Sequence, residues 1–346
     1  MKNKAIYMSG TYNMVWKEIP VPEIKDNEVL VKIEAVGICG SDVHYYQHGK
    51  IGDFIVEGDL ILGHESAGEV VAVGKNVKSL KIGDKVALEP GKTCGKCEFC
   101  KSGLYNLCPD VEFFATPPYH GVLTNYVAHP EDMCFKLPEN VSTVEGALVE
   151  PLSVGLHATG QGGVKLGDTV VIFGVGCIGL CSLLSSKARG ASTIIAVDVL
   201  GKRLEKAKEL GATHVINARE VNVIEEIMKI TDGKGAHVVL ETAGNVITVQ
   251  QTVDAVKRGG TIVMVGMAPQ DIIEFNFARL MNKEAQIKTV FRYRNLYPVA
   301  INAIASGAID IKRIVSHEFD FENTKEAFDF VISNPKDVIK AVIRIK

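Results

Sequence analysis

Apolar and polar positions divide the chain into two patterns. From Lys4 to about Leu137, short alternating or apolar runs such as Glu28 to Val36, Gly68 to Val73 and Lys85 to Leu88 are separated by Gly, Pro, Asp and Asn. Runs this closely spaced, without long helices between them, predict a β-rich barrel or sandwich. At Val144 the period changes: Val144, Leu148, Leu152 and Leu156 recur at helical spacing, with Pro151 set to begin or kink a helix. Beyond this point strands and helices alternate. Val170 to Phe173, Thr193 to Val197, His214 to Ile216, His237 to Glu241 and Thr261 to Val265 read as strands, and Gln286 to Phe291 as one more. Cys177 to Arg189, the stretch around Leu204, Ala207 and Leu210, Val223 to Ile230 and Val246 to Val256 read as the helices between them. Such alternation predicts a doubly wound parallel sheet covered on both faces, an α/β fold. The tail, helical at Tyr297 to Ala305 and strand-like at Val338 to Ile345, is expected to return to the first domain. The expected division is therefore a β-rich domain over residues 1–150 and 290–346, and a nucleotide-binding domain over 151–289.

A chain of 346 residues fits two domains better than one core. Its 38 basic and 41 acidic residues leave a net charge of −3 with no basic block, so nucleic acid and anionic membranes are not expected partners. No apolar run reaches transmembrane length, and Lys2 and Lys4 are not followed by the apolar stretch of a signal peptide. A cytoplasmic location is expected. There thiols stay reduced, and the eight cysteines, four of them between Cys94 and Cys108, read as metal ligands before disulfide partners.

The strand Val170 to Phe173 leads into Gly174, Gly176 and Gly179, then into a helix and a second strand ending at Asp198. That is the dinucleotide fingerprint in its required context of strand, turn and helix. The glycines allow the tight turn, the approach of a pyrophosphate and the packing of helix on sheet. The helix N-terminus offers free N–H groups to the phosphates. Asp198, nineteen residues past Gly179, is placed to accept hydrogen bonds from the adenosine ribose and to repel a 2′-phosphate, which favours NAD over NADP.

Cys94, Cys97, Cys100 and Cys108 form CxxCxxC with a fourth cysteine after seven residues. Four thiolates from one loop can close a tetrahedral zinc site with no position left for substrate, a structural site. An iron–sulfur centre shares the CxxCxxC opening and the Cys108-Pro109 ending, but its bacterial spacing puts three residues before the last cysteine. A second set is mixed. Cys39 follows a strand, His64 and Glu65 follow the apolar run Leu60 to Leu62, and Glu150 stands at the domain junction. Catalytic zinc takes three protein ligands and keeps one position open, and thiolate, imidazole and carboxylate suit it. Taken singly, each residue also reads as core, surface pair or helix-start charge.

The run Gly63-His64-Glu65-Ser66-Ala67-Gly68, continued by Gly74 and Val77, resembles the zinc signature of the medium-chain zinc-containing alcohol dehydrogenases. Within that superfamily GICGSDVHYY, ALVEPLSVGLHA and VFRYRN resemble the sorbitol (L-iditol) and related polyol dehydrogenases. The resemblance runs from Lys4 to the C-terminus. It implies a GroES-like catalytic domain and a Rossmann domain with the active site between them, in a homotetramer. It implies catalytic zinc on Cys39, His64 and Glu65, with Glu150 reaching the metal directly or through water, where simple alcohol dehydrogenases carry a cysteine. Tyr45, Glu150, Arg292 and Tyr293 match substrate contacts, while Ile178, Asp198, Arg203, Val265, Gly266, Met267, Val290 and Phe291 match NAD contacts. Animal sorbitol dehydrogenases have lost the four-cysteine site that this chain keeps.

The implied reaction is oxidation of a secondary hydroxyl of a polyol, of sorbitol, xylitol or L-iditol type, to a ketose with hydride passing to NAD. Glu150 is the first candidate to carry the proton away, with Ser41 and His44 as a hydroxyl–imidazole relay beside Cys39. A bidentate donor such as Arg292 suits a polyol better than an aliphatic alcohol. L-threonine and 2,3-butanediol dehydrogenases share these arrangements, and a fold does not choose a substrate. The alternative of another class, a non-catalytic NAD-binding redox sensor, has no need of the mixed ligand set.

Overall fold

Glu28–Gly37 is a ten-residue strand buried along most of its length, and the first half of the fold is laid down on it. One edge pairs antiparallel with Glu65–Val73. The other edge is shared by two partners: Tyr126–Pro130 covers Glu28 to Lys32, and Lys340–Arg344 covers Ala35 to Gly37. Lys85–Leu88 and Cys134–Lys136 extend the sheet beyond Glu65–Val73, and Val315–Asp320 lies parallel to Lys340–Arg344. Alternate residues of these strands, among them Val29, Val31, Ile33, Val70 and Leu88, fill one apolar core. Each such side chain contributes about 1.5–3 kcal/mol by leaving water.

The computed structural model describes residues 2–346, which separate into a first unit ending at Glu150 and resuming over Tyr297–Lys346, and a second unit, Pro151–Leu296. The chain thus rejoins its first unit at Tyr297, seven residues later than the expected 290. The reason is local. The expected strand Gln286 to Phe291 is Gln286–Thr289, an exposed edge strand, and left-handed φ values of +56° at Arg292 and +56° at Asn295 end the extended run. In the tail, Val315–Asp320 and helix Thr324–Ser333 were not foreseen. Phe328 of that helix meets Tyr46 at 5.4 Å between ring centroids, and the Tyr46 hydroxyl donates to Asp329 at 2.9 Å.

Three further local results bear on the site. The β-rich region contains a nine-residue helix, Gly40–His48, starting directly after Cys39. The helical period through Pro151 is two helices, Thr143–Ala147 and Val149–Gly162, with Ser142 and Glu145 forming the capping box of the first. Pro151 falls in the first turn of the second, where a missing N–H costs little.

The second unit is a six-stranded parallel sheet in the order His214–Asn217, Thr193–Asp198, Thr169–Phe173, Ala236–Glu241, Val256–Met264, Gln286–Thr289. Numbered within the unit this is 3-2-1-4-5-6, the Rossmann order, whose reversal between the first and fourth strands opens a crevice at their carboxyl ends. Helices Cys177–Ala188, Gly201–Leu210, Val223–Ile230 and Val246–Ala255 connect the strands. Among the described residues no helix is long and apolar enough to cross a membrane.

Candidate active site

The register of two strands brings the mixed ligand set together. Gly37 is opposite Glu65 in the antiparallel pair, so Cys39, two residues past Gly37, and His64, one before Glu65, emerge at the same end. One donor atom from each of Cys39, His64 and Glu65 lies within 4.8 Å of the others, close enough to share one ion. His64 and Glu65 are buried and Cys39 is partly so. A soft thiolate, an imidazole and a carboxylate suit zinc.

Two residues that the sequence did not single out hold this set. Asp42 is buried in the first turn of Gly40–His48; its Oδ2 accepts from the Cys39 N–H at 3.2 Å and its Oδ1 from the Gly63 N–H at 2.9 Å. The same Oδ1 is 3.4 Å from His64 Nδ1, which commits that ring nitrogen and leaves Nε2 for a metal. Burial works against a charged His64 ring, but Asp42 and Cys39 outweigh it and the pKa is raised well above the usual imidazole range. A divalent cation meets the same negative surroundings. Lys340, from the C-terminal strand, donates to both carboxylate oxygens of Glu65 at 2.8 Å each and to the Ile38 carbonyl at 3.0 Å. An ionised carboxylate has about four lone-pair sites, so Glu65 keeps capacity for a metal. Gly37 makes the room, since a Cβ there would meet Glu65 Oε2 at 2.0 Å.

Glu150 is buried at the last residue of the first unit. Its charge is felt by Glu89, a buried carboxyl after Lys85–Leu88 that accepts from the Tyr105 hydroxyl at 2.7 Å. Tyr45 is buried on helix Gly40–His48, whereas His44 is exposed and its ring lies against His48. Among the described residues no hydrogen bond joins Ser41 to His44. Phe113 packs its ring 5.8 Å from that of His64.

Cys94, Cys97, Cys100 and Cys108 form a second cluster, their sulfurs within 4.8 Å of one another. The N–H groups of Cys97 and Cys100 point at the sulfurs of Cys94 and Cys97, each at 3.4 Å. Backbone N–H groups of Lys96 and Cys97 bring the Cys94 thiol down to about 7, while burial pushes Cys108 up to about 12. Four converging sulfurs with N–H groups aimed at them fit a closed zinc site.

In the second unit a cavity of about 660 Å³ is lined by Gly174, Gly176, Asp198, Arg203, Thr242 and Asn245, among others. Gly174 has φ +82°, and a Cβ on Gly179 would strike the Gly174 carbonyl at 2.0 Å. At Gly176 the nearest atom to a Cβ is the Arg203 guanidinium at 3.6 Å, which leaves room for a pyrophosphate beside the helix that begins at Cys177. Asp198 Oδ2 accepts from the Val175 N–H at 2.8 Å, and Oδ1 from the N–H groups of Val199 and Leu200 at 2.8 and 3.0 Å. Its carboxylate therefore braces the turn as well as facing the cavity, with Arg203 4.0 Å away. Ile178 is in the first turn of that helix.

Glu241, fully buried and also missed by the sequence reading, organises the neighbouring loop. Its carboxylate accepts from the N–H groups of Ala243 and Gly244 and from the Thr248 hydroxyl, and its carbonyl from the N–H groups of Val265 and Gly266. Met267 is exposed, and Val290 donates to the Met264 carbonyl. Arg292 stacks on Phe291, 4.9 Å from the ring centroid, and Tyr293 is buried.

Residues 177–306 match the zinc-binding dehydrogenase family, and residues 25–139 match the alcohol dehydrogenase GroES-like domain. The chain is 45% identical over 340 residues to sorbitol dehydrogenase from Bacillus subtilis, covering 98% of this chain and 96% of that one. It is 42% identical over 333 residues to a probable D-xylulose reductase A from Aspergillus clavatus, covering 94% and 93%. The crystal structure of an Escherichia coli oxidoreductase/dehydrogenase of unknown specificity superposes with a TM-score of 0.97 at 46% identity, covering 100% of both chains.

Proposed function

Because the chain belongs to the zinc-containing alcohol dehydrogenase family, among its sorbitol dehydrogenase relatives, we propose that it oxidises a secondary hydroxyl of a polyol to a ketose with NAD as hydride acceptor. The observation that carries this reading is the convergence of Cys39, His64 and Glu65 at one strand end, braced by Asp42 and Lys340. The names of the relatives support a polyol of sorbitol, xylitol or L-iditol type, with L-iditol 2-dehydrogenase activity as the specific assignment.

Cys39, His64 and Glu65 would hold a zinc ion that would supply Lewis acidity toward the substrate oxygen, and a bound nicotinamide would supply the hydride acceptor. The chain's own residues do the rest. Asp42 fixes the ring of His64 and the start of the helix after Cys39, and Lys340 fixes Glu65. Glu150 is the proton acceptor, with Ser41 and His44 as a second route. Tyr45, Arg292 and Tyr293 hold the remaining hydroxyls of the polyol. The cavity at Gly174, Gly176 and Asp198 takes the adenosine and pyrophosphate half of the cofactor, and the Asp198 carboxylate favours NAD over NADP. Ile178, Arg203, the run Val265 to Met267, Val290 and Phe291 complete the cofactor contacts.

A homotetramer in the cytoplasm fits this reading. Support for self-association comes from the edge strand Gln286–Thr289, whose four residues are all exposed, and from the exposed apolar side chains of Phe277, Met281 and Ile287 nearby. Light scattering on the purified protein gives the oligomer directly.

The test is NADH formation by zinc-loaded enzyme over sorbitol, xylitol, L-iditol, galactitol, L-threonine and 2,3-butanediol. A polyol is expected to give the highest kcat/KM. Preference for threonine or butanediol overturns the substrate class, and no turnover on any alcohol with two zincs bound per chain favours the sensor. Cys39→Ala is expected to lose one zinc per chain and all turnover while still binding NAD.

A further inference from the structure

We propose that His44 and His48 form a third metal site, a surface chelate for a late first-row divalent cation such as Cu²⁺, Ni²⁺ or Zn²⁺. The two residues stand four apart on helix Gly40–His48 and so lie on one face, one turn above the other. Their ring centroids are 4.6 Å apart with 56° between the planes, and both side chains are exposed. No hydrogen bond or ion pair among the described residues engages either ring. Two histidines at positions i and i+4 are the pair by which a helix presents two nitrogen donors to one zinc.

The chemistry separates this site from the other two clusters. Its donors are imidazoles alone, which suit Cu²⁺, Ni²⁺ and Zn²⁺, whereas each of the others contains thiolate sulfur. With the affinity order Ni²⁺ < Cu²⁺ > Zn²⁺, copper is the strongest occupant and nickel a convenient probe. A cation held there withdraws His44 from the second proton route proposed above, so the chelate and that route exclude each other. Desolvation and the charge of the neighbouring His48 both lower the His44 pKa, toward the neutral form that binds metal.

The experiment uses zinc-loaded enzyme of known zinc content, titrated with NiCl₂ in a calorimeter. Wild type is expected to take up one Ni²⁺ per chain without releasing zinc. His48→Gln is expected to bind it about tenfold more weakly or worse, while His214→Gln, at an exposed histidine elsewhere, keeps wild-type affinity. Cu²⁺ at the site is expected to show two nitrogen ligands by electron paramagnetic resonance in wild type and one in His48→Gln. Unchanged nickel affinity in His48→Gln, with its zinc content intact, overturns the proposal. So does nickel uptake matched by an equal release of zinc, which places the ion in a thiolate site.

Discussion

The Lys340 ammonium lies 2.8 Å from each carboxylate oxygen of Glu65, with only 3% and 1% of the two side chains exposed. Removing one member of a buried pair leaves the other charge uncompensated, at a cost of about 3–5 kcal/mol. Lys340→Met is therefore expected to destabilise the protein by that order in denaturant titrations. A metal on Glu65 supplies replacement positive charge, so the loss is expected to be larger for zinc-stripped than for zinc-loaded protein. Equal losses in the two forms argue against Glu65 as a ligand.

Asp42 connects three parts of the mixed set through Cys39 N–H, Gly63 N–H and His64 Nδ1. Loss of a carboxylate that orients a ligating histidine typically lowers metal affinity about 10–100-fold. Asp42→Asn is expected to release one zinc per chain to a chelator at correspondingly lower concentration while the four-cysteine zinc stays bound. Simultaneous loss of both zincs points to general unfolding and removes the orienting role.

How far the sequence could be read depended on how local each signal was. The glycine turn, its flanking strands and Asp198 lie close together along the chain, and the strands and helices of the second unit alternate as expected. The cysteine spacing is likewise local, and the four sulfurs do converge. Lys340 is 275 residues from Glu65, and nothing in the strand-like run Val338 to Ile345 marks it as a charge directed into the core. Asp42 read as one acidic residue in GICGSDVHYY because its partners, Gly63 and His64, are brought near it by strand pairing alone. The stretch after Thr289 looked extended because Val290 and Phe291 continue an apolar run, and side-chain pattern carries no sign of the φ reversal at Arg292.

Asp198 accepts three backbone N–H groups besides facing the cofactor cavity. Two effects follow for Asp198→Ala. The NAD preference, as the ratio of kcat/KM with NAD to that with NADP, is expected to fall as the negative charge goes and Arg203 remains. The three unpaired N–H groups are expected to lower thermal stability as well, by roughly 1–3 kcal/mol for each that stays buried. An unchanged cofactor ratio places the selector at another residue, whatever happens to stability.

Glu89 provides a pH test with a definite sign. Burial raises its carboxyl pKa from 4.5 to about 7 despite the Tyr105 hydrogen bond, with the charges of Glu150 and Asp132 adding to the rise. The folded chain therefore holds a proton that the unfolded chain releases at lower pH. That contribution to stability is complete below about pH 4.5 and is lost as pH rises through about 7. Glu89→Gln keeps an acceptor for the Tyr105 hydroxyl but cannot ionise. Its stability relative to wild type is expected to increase from pH 5 to pH 8, by roughly 1–3 kcal/mol. Urea titrations of both proteins at unit pH intervals give the difference, in which groups common to both cancel. A difference that is flat with pH, or that falls, means Glu89 is ionised throughout and its burial is compensated by other groups.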